Sequence, residues 1–406
     1  MSKLSFSDFI SRVESQQINV AFQFVIGRGG SLFFHSLLDS HQGILSYPGM
    51  LNYYESIVPR LDQENVNIKK TIVDELQFWN EIMVPYNVQQ NLGAAKDISI
   101  KVDCEKIAEL ACSLAGDKIG DRKILFLALN FAIGSFFNKD MDSVHLIYCQ
   151  EHTSHPDEKL FNNILNDFPY ARMLCMVRDP RANYISIKGW EDKRHSMNVK
   201  AWEVQKFQPG LFADLCVYWY RTILYLANKY YKNFYFIRLE DLQENRSQYL
   251  ERFAAVFQLE NSPSLIQTTF NGHLWHGDNF SPKQPGFRTS ANPSNWQSEL
   301  GNIKQAVIEI VLKREMMALH YPILASRNKF VLLCGWILCP FWLWDDFKKI
   351  FSKKYLLYEK RKGKSIFRVI YSTIMGQIKS TLSLIRFAWK MNRKYPNVPN
   401  IIFKSK

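Results

Sequence analysis

Short apolar segments alternate with longer stretches of helical length through residues 1–328 of this chain. An apolar run of about four to eight residues has the length of a buried strand, and the stretches between such runs are long enough for helices. The alternation predicts an α/β fold: a parallel sheet flanked by helices on both faces, with ligands at the carboxyl ends of the strands. The predicted strands are 20–26, 98–102, 144–148, 172–177 and 234–237, and the predicted helices are 31–40, 105–115, 124–137, 157–167, 211–231, 247–257 and 302–319.

The excess of basic residues is confined to one end of the chain. Residues 329–406 contain 17 of the 51 Lys and Arg residues but only 3 of the 38 Asp and Glu residues, and the rest of the chain is nearly neutral. Such a distribution indicates that the tail, rather than the body, contacts an anionic partner. We therefore expect one main domain in residues 1–328 and a basic, aromatic-rich helical extension in residues 329–406.

The extension has the features of a segment that lies on a membrane. Residues 330–344, FVLLCGWILCPFWLW, are fewer than the roughly 20 apolar residues of a spanning helix, and Pro340 interrupts them. Residues 367–393 place basic side chains on one helix face and apolar side chains on the other. We expect peripheral association with an anionic membrane surface; the alternative is a helix whose apolar face covers the main domain. Nucleic acid is not expected, because no recognition module accompanies the charge.

The cysteines and the first residues indicate the compartment. The seven cysteines form no CxxC pair and no cluster with histidine, which argues against a disulfide framework and a zinc site. The opening residues, MSKLSFSDFISRVESQQ, lack the apolar stretch of a secretory signal. We therefore expect a cytoplasmic protein.

A glycine-rich turn follows the first predicted strand and precedes the first predicted helix. In this arrangement, backbone N–H groups and the helix dipole converge on an anion, and glycine allows phosphate oxygens to approach the backbone closely. The turn lacks the GK[ST] sequence of a Walker loop, and it offers an arginine in place of the lysine. The candidate anion-binding residues are Arg28, Gly29, Gly30, Ser31 and Leu32.

A second cationic motif follows the strand predicted at 172–177. Pro180 suits the first turn of a helix, so Arg178 stands at the carboxyl end of this strand. Ser186, about two turns along the helix, points to the same side. We expect Arg178 and Ser186 to bind a further phosphate.

The two segments resemble the phosphate-binding motifs of the sulfotransferases. In that family a 5′-phosphosulfate loop, usually RSGTT or RSGTS, is similar to residues 28–31 here. A 3′-phosphate motif, RDPR with a serine eight residues after its first arginine, is similar to residues 178–186. The resemblance spans residues 20–322. Supporting matches are Asp39-Ser40-His41, which lacks the proline of the family's D-x-H-P, Phe168-Pro169-Tyr170-Ala171, Arg238-Leu239-Glu240-Asp241-Leu242 and 290–300.

The resemblance implies a P-loop NTPase-like sulfotransferase fold and an enzyme that uses 3′-phosphoadenylyl sulfate (PAPS) as donor, without a metal. Arg28 and the amides of residues 29–32 would stabilise the departing phosphate, while Arg178 and Ser186 would bind the 3′-phosphate. Trp296 lies in the segment that closes over the nucleotide in the family. Independently of the resemblance, the Gly, Pro, Ser and Asn content of residues 271–296 predicts a long ordered loop or lid.

The acceptor and the class of activity stay open at this point. The basic tail favours a hydroxyl or amine of a lipid, a glycolipid or a carbohydrate as acceptor, and nothing in the sequence indicates the oligomeric state. The alternatives are a P-loop kinase, disfavoured by the missing GK[ST], and a non-catalytic nucleotide-binding adaptor.

The general base is the least determined part of the site. Many relatives carry a glutamate where this chain has residues 47–50, Tyr-Pro-Gly-Met, without an acid. Others carry a histidine or lysine just after the strand that precedes the RDPR unit, where this chain has His152. We favour His152 as the base, because an acceptor hydroxyl must lose its proton to a group within reach. Glu55, Glu151 and His155 are the alternatives.

Overall fold

The computed structural model describes residues 4–25, 27–78, 88–152, 157–196, 218–277 and 296–324, together with Ser365 and Met375. The chain divides into two compact units, the first made of residues 1–178, 230–291 and 400–406 and the second of residues 179–229 and 292–399. The predicted boundary at residue 328 lies outside the described residues, as does the predicted membrane-associated tail apart from Ser365 and Met375. Among the residues described, no helix combines the length and the apolar character needed to cross a bilayer.

The first unit contains a five-stranded sheet made of β1 Asn19–Phe24, β2 Ile44–Leu45, β3 Leu146–Glu151, β4 Arg172–Val177 and β5 Phe234–Arg238. The strands lie in the order β2-β3-β1-β4-β5, and every neighbouring pair is parallel. The strand β1, which precedes the glycine turn, is central, so its carboxyl end is flanked by those of β3 and β4. A separate antiparallel pair is β6 Thr269–Phe270 with β7 His273–Leu274.

Each of the two units has its own set of helices. The first unit has α1 Phe6–Glu14, α2 Ser31–Leu38, α3 Val58–Leu61, α4 Ile68–Gln77, α5 Cys104–Ala115, α6 Arg122–Phe136 and α7 Glu158–Asp167, followed by α10 Leu239–Glu244 and α11 Arg246–Val256. The second unit has α8 Pro180–Ser196, α9 Tyr218–Lys229, α12 Trp296–Leu300, α13 Asn302–Val311 and α14 Lys313–Ala318. A π-helical turn, Tyr53–Ile57, precedes α3.

Helices cover both faces of the sheet, as alternating side chains of β1 show. Phe22 packs edge-on against Tyr54 of the π-helical turn, and Phe24 stacks on Phe161 of α7 with the ring centroids 4.5 Å apart. Ala21 faces the other way, into a core formed with α2 and α11. Since successive side chains of a strand point to opposite faces, each face is buried under its own helical layer. The predicted α/β fold with a parallel sheet is confirmed.

Two sequence-based strand predictions need correction. Residues 98–102 form no strand of the sheet; Ile98 makes an isolated bridge with Leu92, and both Ile98 and Ile100 pack on a small cluster around Phe270. The apolar side chains at positions 98 and 100 are therefore explained by packing on that cluster rather than by pairing in the sheet. The edge strand β2, at Ile44–Leu45, was not predicted, because two residues are too few to show a period.

Two other predicted segments are only partly as expected. The helix predicted at 302–319 is divided at Leu312 into α13 and α14. Of the loop predicted at 271–296, residues 271–277 and Trp296 are described, and residues 278–295 lie outside the described part of the chain.

Candidate active site

The turn after β1 presents backbone donors at the carboxyl end of the central strand. Gly30 is the N-cap of α2 with φ +96° and contributes no side-chain cap, and the Phe34 N–H donates to its carbonyl at 3.0 Å. Helix geometry leaves the amides of residues 31–33 without an intrahelical acceptor, and the helix dipole adds positive potential there. Arg28 adds a formal charge in the same turn. The turn therefore has the composition of an anion site.

The backbone of the turn is strained at an arginine and needs a glycine two residues later. Arg28 has φ +62°, the left-handed region that side chains other than Asn and Asp rarely adopt. At Gly30 the positive φ coincides with a close neighbour, since a Cβ there would lie 3.0 Å from Cδ1 of Leu239. A strained backbone held by its surroundings is common at binding sites, which agrees with a role for this turn.

Arg178 lies at the end of the strand next to the glycine turn. β1 and β4 pair in register with Phe24 opposite Cys175, so Arg178 and the turn both follow the carboxyl ends of neighbouring strands. Neighbouring strands are about 4.8 Å apart, which brings Arg178 and the glycine turn to one edge of the sheet. Ser186 is a half-buried residue of α8, in the second unit, and its role beside Arg178 stays a prediction.

Trp296 packs on a buried charge network inside the second unit. Arg181 is 1% exposed, donates to both carboxylate oxygens of Asp179 at 2.9 and 2.6 Å, and donates to Glu309 at 2.6 Å. Its guanidinium carbon lies 4.1 Å from the centroid of the buried Trp296 ring. The second arginine of the RDPR sequence is thus structural, and the predicted contact of Trp296 with a nucleotide stays a prediction.

The base candidates His152 and Glu55 are both held through their backbone N–H groups near the end of β3. The carboxyl group of Glu151 accepts the N–H of Tyr54 at 2.9 Å and that of Glu55 at 3.3 Å. The N–H of the next residue, His152, donates to Oδ1 of Asn52 at 2.7 Å. The structure therefore anchors the backbone of both candidates near the carboxyl end of the strand beside β1.

The environment of these groups sets their protonation. Burial lowers the pKa of His152 below its usual 6.5, so the imidazole is neutral at neutral pH, as a general base must be. Burial also raises the pKa of Glu151 well above its usual 4.5, and the nearby carboxylates Glu75 and Glu55 raise it further. Glu151 therefore holds the backbone of the π-helical turn rather than acting as the general base. His155 lies outside the described residues.

Asp39, at the end of α2, secures the β6–β7 hairpin, whose turn and second strand occupy the first residues of the predicted loop. Its carboxylate accepts the backbone N–H groups of Asn271 and Gly272 at 2.9 and 3.0 Å and the hydroxyl of Thr269 at 3.1 Å. Burial nevertheless raises the pKa of Asp39. The Asp-Ser-His match to the family pattern thus corresponds to a structural anchor between α2 and the β6–β7 hairpin.

A buried polar cluster between the sheet and the start of α2 was not predicted from the sequence. Gln23, Tyr148 and Gln150 are at most 2% exposed, and they face the same side of the sheet as α2. The available signal was the polar residue within each of two otherwise apolar strands, β1 and β3, because a buried amide is retained only where it is hydrogen-bonded.

Comparisons with known proteins give structural matches alone. No family model and no curated protein sequence matches the chain. The sulfotransferase domain from the curacin biosynthetic pathway matches with TM-score 0.41 and 13% identity, over 76% of this chain and 99% of that domain. The sulfotransferase domain from the Synechococcus PCC 7002 olefin synthase matches with TM-score 0.35 and 15% identity, over 62% and 77%.

A third match is the sulfotransferase STF9 from Mycobacterium avium, with TM-score 0.34 and 11% identity, over 65% of this chain and 70% of that one. The TM-scores of these three matches are all below 0.5 and the identities are at most 15%, so the matches carry no conclusion about the function of this chain.

Proposed function

We propose that this chain is a sulfotransferase that moves a sulfuryl group from PAPS to a hydroxyl or amine of a lipid, glycolipid or carbohydrate. One observation carries the proposal. The glycine turn, which contains Arg28 and leads into α2, follows strand β1, and Arg178 follows the adjacent strand β4. A ligand with two separate phosphate groups suits two cationic segments at one sheet edge.

The arrangement supports an in-line displacement. A bond forms between the acceptor atom and sulfur while the bond from sulfur to the bridging phosphate oxygen breaks, and negative charge moves onto that phosphate. Arg28 and the amides of residues 31–33 stabilise this charge, as preorganised donors do at a developing anion. The acceptor proton passes to His152, which is neutral at neutral pH, or to the alternative candidate Glu55.

Ligand preference separates this proposal from a kinase. Isothermal titration calorimetry with adenosine 3′,5′-bisphosphate and with ATP should show a preference for the bisphosphate that Arg178→Ala abolishes. Lys118→Ala, an exposed residue between α5 and α6, removes the same charge and should leave the preference unchanged. A preference for ATP would exclude the sulfotransferase and favour the kinase.

Transfer separates the enzyme from an adaptor. The protein is incubated with PAPS labelled in the sulfuryl group and with fractionated lipid, glycan and small-molecule pools. Label on one pool, lost in Arg28→Ala, establishes the activity and gives the acceptor class. Binding of the bisphosphate without transfer to any pool would favour the adaptor.

We also propose that residues 329–406 hold the catalytic domain, residues 1–328, on an anionic membrane surface. The support is the surplus of basic residues in this part of the sequence. Full-length protein should sediment with vesicles containing phosphatidylserine and not with neutral vesicles. Replacing Lys348, Lys349, Lys353 and Lys354 with glutamine should weaken this binding, and equal binding to both kinds of vesicle would contradict the proposal.

A further inference from the structure

Three buried polar side chains connect β1 and β3 to the start of α2. Gln23 and Gln150 lie directly opposite each other in the parallel register. The Tyr148 hydroxyl donates to Oε1 of Gln23, and Nε2 of Gln150 donates to the same oxygen at 2.9 Å. Nε2 of Gln150 also donates to the backbone carbonyl of Ser31 at 3.1 Å. This last bond joins the sheet to α2.

The bond to Ser31 acts on the first turn of α2. In an α-helix the carbonyl of residue 31 accepts the N–H of residue 35, so the amide of Gln150 is a second donor to that oxygen. A hydrogen bond in a water-free interior fixes geometry more strongly than at the surface. His35 belongs to the same buried region: its ring centroid lies 5.1 Å from that of Tyr148. Strand β3 thus holds the first turn of α2 through the side chain of Gln150.

We propose that Gln150 is a positioning residue, which holds the first turn of α2 on the sheet and so aims the amides of residues 31–33 at the anion. Gln150 does not touch the ligand; it acts through Ser31. The part of this inference that concerns nucleotide binding rests on the proposed function, whereas the part that concerns the order of the turn does not.

The test compares two variants that each remove one hydrogen-bond donor from the same cluster. Gln150→Met keeps the length and burial of the side chain but loses the bonds from its amide to Ser31 and to Gln23. Tyr148→Phe loses only the bond to Gln23 and is the matched control. If Gln150→Met does not fold, Gln150→Asn replaces it, because its amide is one methylene too short to reach Ser31.

The first readout is hydrogen exchange of the amides of residues 34–36, the earliest in α2 that have helical acceptors. Loss of one net hydrogen bond corresponds to roughly a tenfold change in a local opening equilibrium. We expect about tenfold faster exchange in Gln150→Met and less than twofold faster exchange in Tyr148→Phe. Unchanged exchange in Gln150→Met, or equal acceleration in both variants, would overturn the inference.

The second readout is the Kd for adenosine 3′,5′-bisphosphate, measured by calorimetry on the same proteins. We expect it to rise about tenfold in Gln150→Met and less than twofold in Tyr148→Phe, in line with the exchange data. Wild-type protein that does not bind the bisphosphate, together with accelerated exchange in Gln150→Met, overturns the proposed function and retains the positioning of the turn. Wild-type affinity in Gln150→Met overturns the role of Gln150 in binding.

Discussion

Gly30 and Leu239 lie so close together that a side chain at position 30 would require Leu239 to shift. A Cβ on Gly30 would lie 3.0 and 3.2 Å from the two methyl carbons of Leu239, and the φ of +96° is itself unfavourable for an L-residue. We expect Gly30→Ala to lower the free energy of unfolding by about 1–2 kcal/mol. Gly27→Ala, in the same turn, is the control, since no described atom lies within 4 Å of a Cβ there. Thermal denaturation of both variants checks this, and equal losses would contradict it.

Arg28 combines a strained backbone with a charge, and substitutions separate the two. Arg28→Ala and Arg28→Gly should both lose on the order of 10²-fold in turnover, the effect of removing one donor to a developing anion. Glycine accepts φ +62° without penalty, so Arg28→Gly should be more stable than Arg28→Ala by roughly 1–2 kcal/mol. Steady-state kinetics and denaturation measure the two effects independently. Equal stability of the variants would show that the turn relaxes, and near-wild-type turnover would exclude Arg28 from catalysis.

His35 should make the protein acid-sensitive. It is 1% exposed, and burial lowers its pKa from 6.5 to about 3. The folded state therefore holds the neutral imidazole, whereas the unfolded chain takes up a proton below pH 6.5. Stability from this group is complete above pH 6.5 and is lost as the pH falls toward 3, by about 1.4 kcal/mol per pH unit. His35→Leu should remove this slope in urea denaturation followed from pH 7 to pH 4. A variant with the wild-type slope would contradict the prediction.

Glu151 should have the opposite pH dependence. Burial raises its pKa, so the folded state favours the neutral carboxyl, and the stability it contributes is present below about pH 4.5 and declines as the pH rises through the folded-state pKa. Glu151→Gln retains a carbonyl acceptor for the Tyr54 N–H and cannot ionise. We expect the stability of this variant, relative to wild type, to increase with pH above 4.5. A constant difference between pH 4.5 and 8 would show that Glu151 ionises normally in the folded protein.

The effects of His35 and Glu151 partly cancel between pH 4.5 and 6.5. In this interval, rising pH stabilises the protein through the histidine and destabilises it through the glutamate. A flat wild-type profile is therefore uninformative, and each slope must be taken from the difference between a variant and wild type.

The positions of the two cationic segments could be predicted because the signals that mark them come from residues adjacent in sequence. The strand at 172–177 agrees at both ends with the structure, since a proline soon after it begins the next helix. The glycine turn likewise lies between an apolar strand and an apolar helix. Local signals of this kind need no knowledge of tertiary contacts.

The supports of the site were not predictable in the same way. Glu151 holds the N–H groups of Tyr54 and Glu55, and Gln150 holds the carbonyl of Ser31, across long separations in sequence. A bond between distant residues leaves no period or spacing in the sequence. The sequence therefore indicated His152 and Glu55 as candidates without showing the backbone hydrogen bonds that hold them near the end of β3.

The central place of β1 in the sheet affects how the protein acquires its structure during synthesis. Residues 19–24 leave the ribosome early, but their partners on either side, 146–151 and 172–175, are made much later. Pairings between distant segments form slowly, because a long loop must close before any contact stabilises it. The nascent glycine turn thus has no fixed frame until about residue 177 has emerged, and a nucleotide bound as proposed would stabilise only chains that have already passed this point.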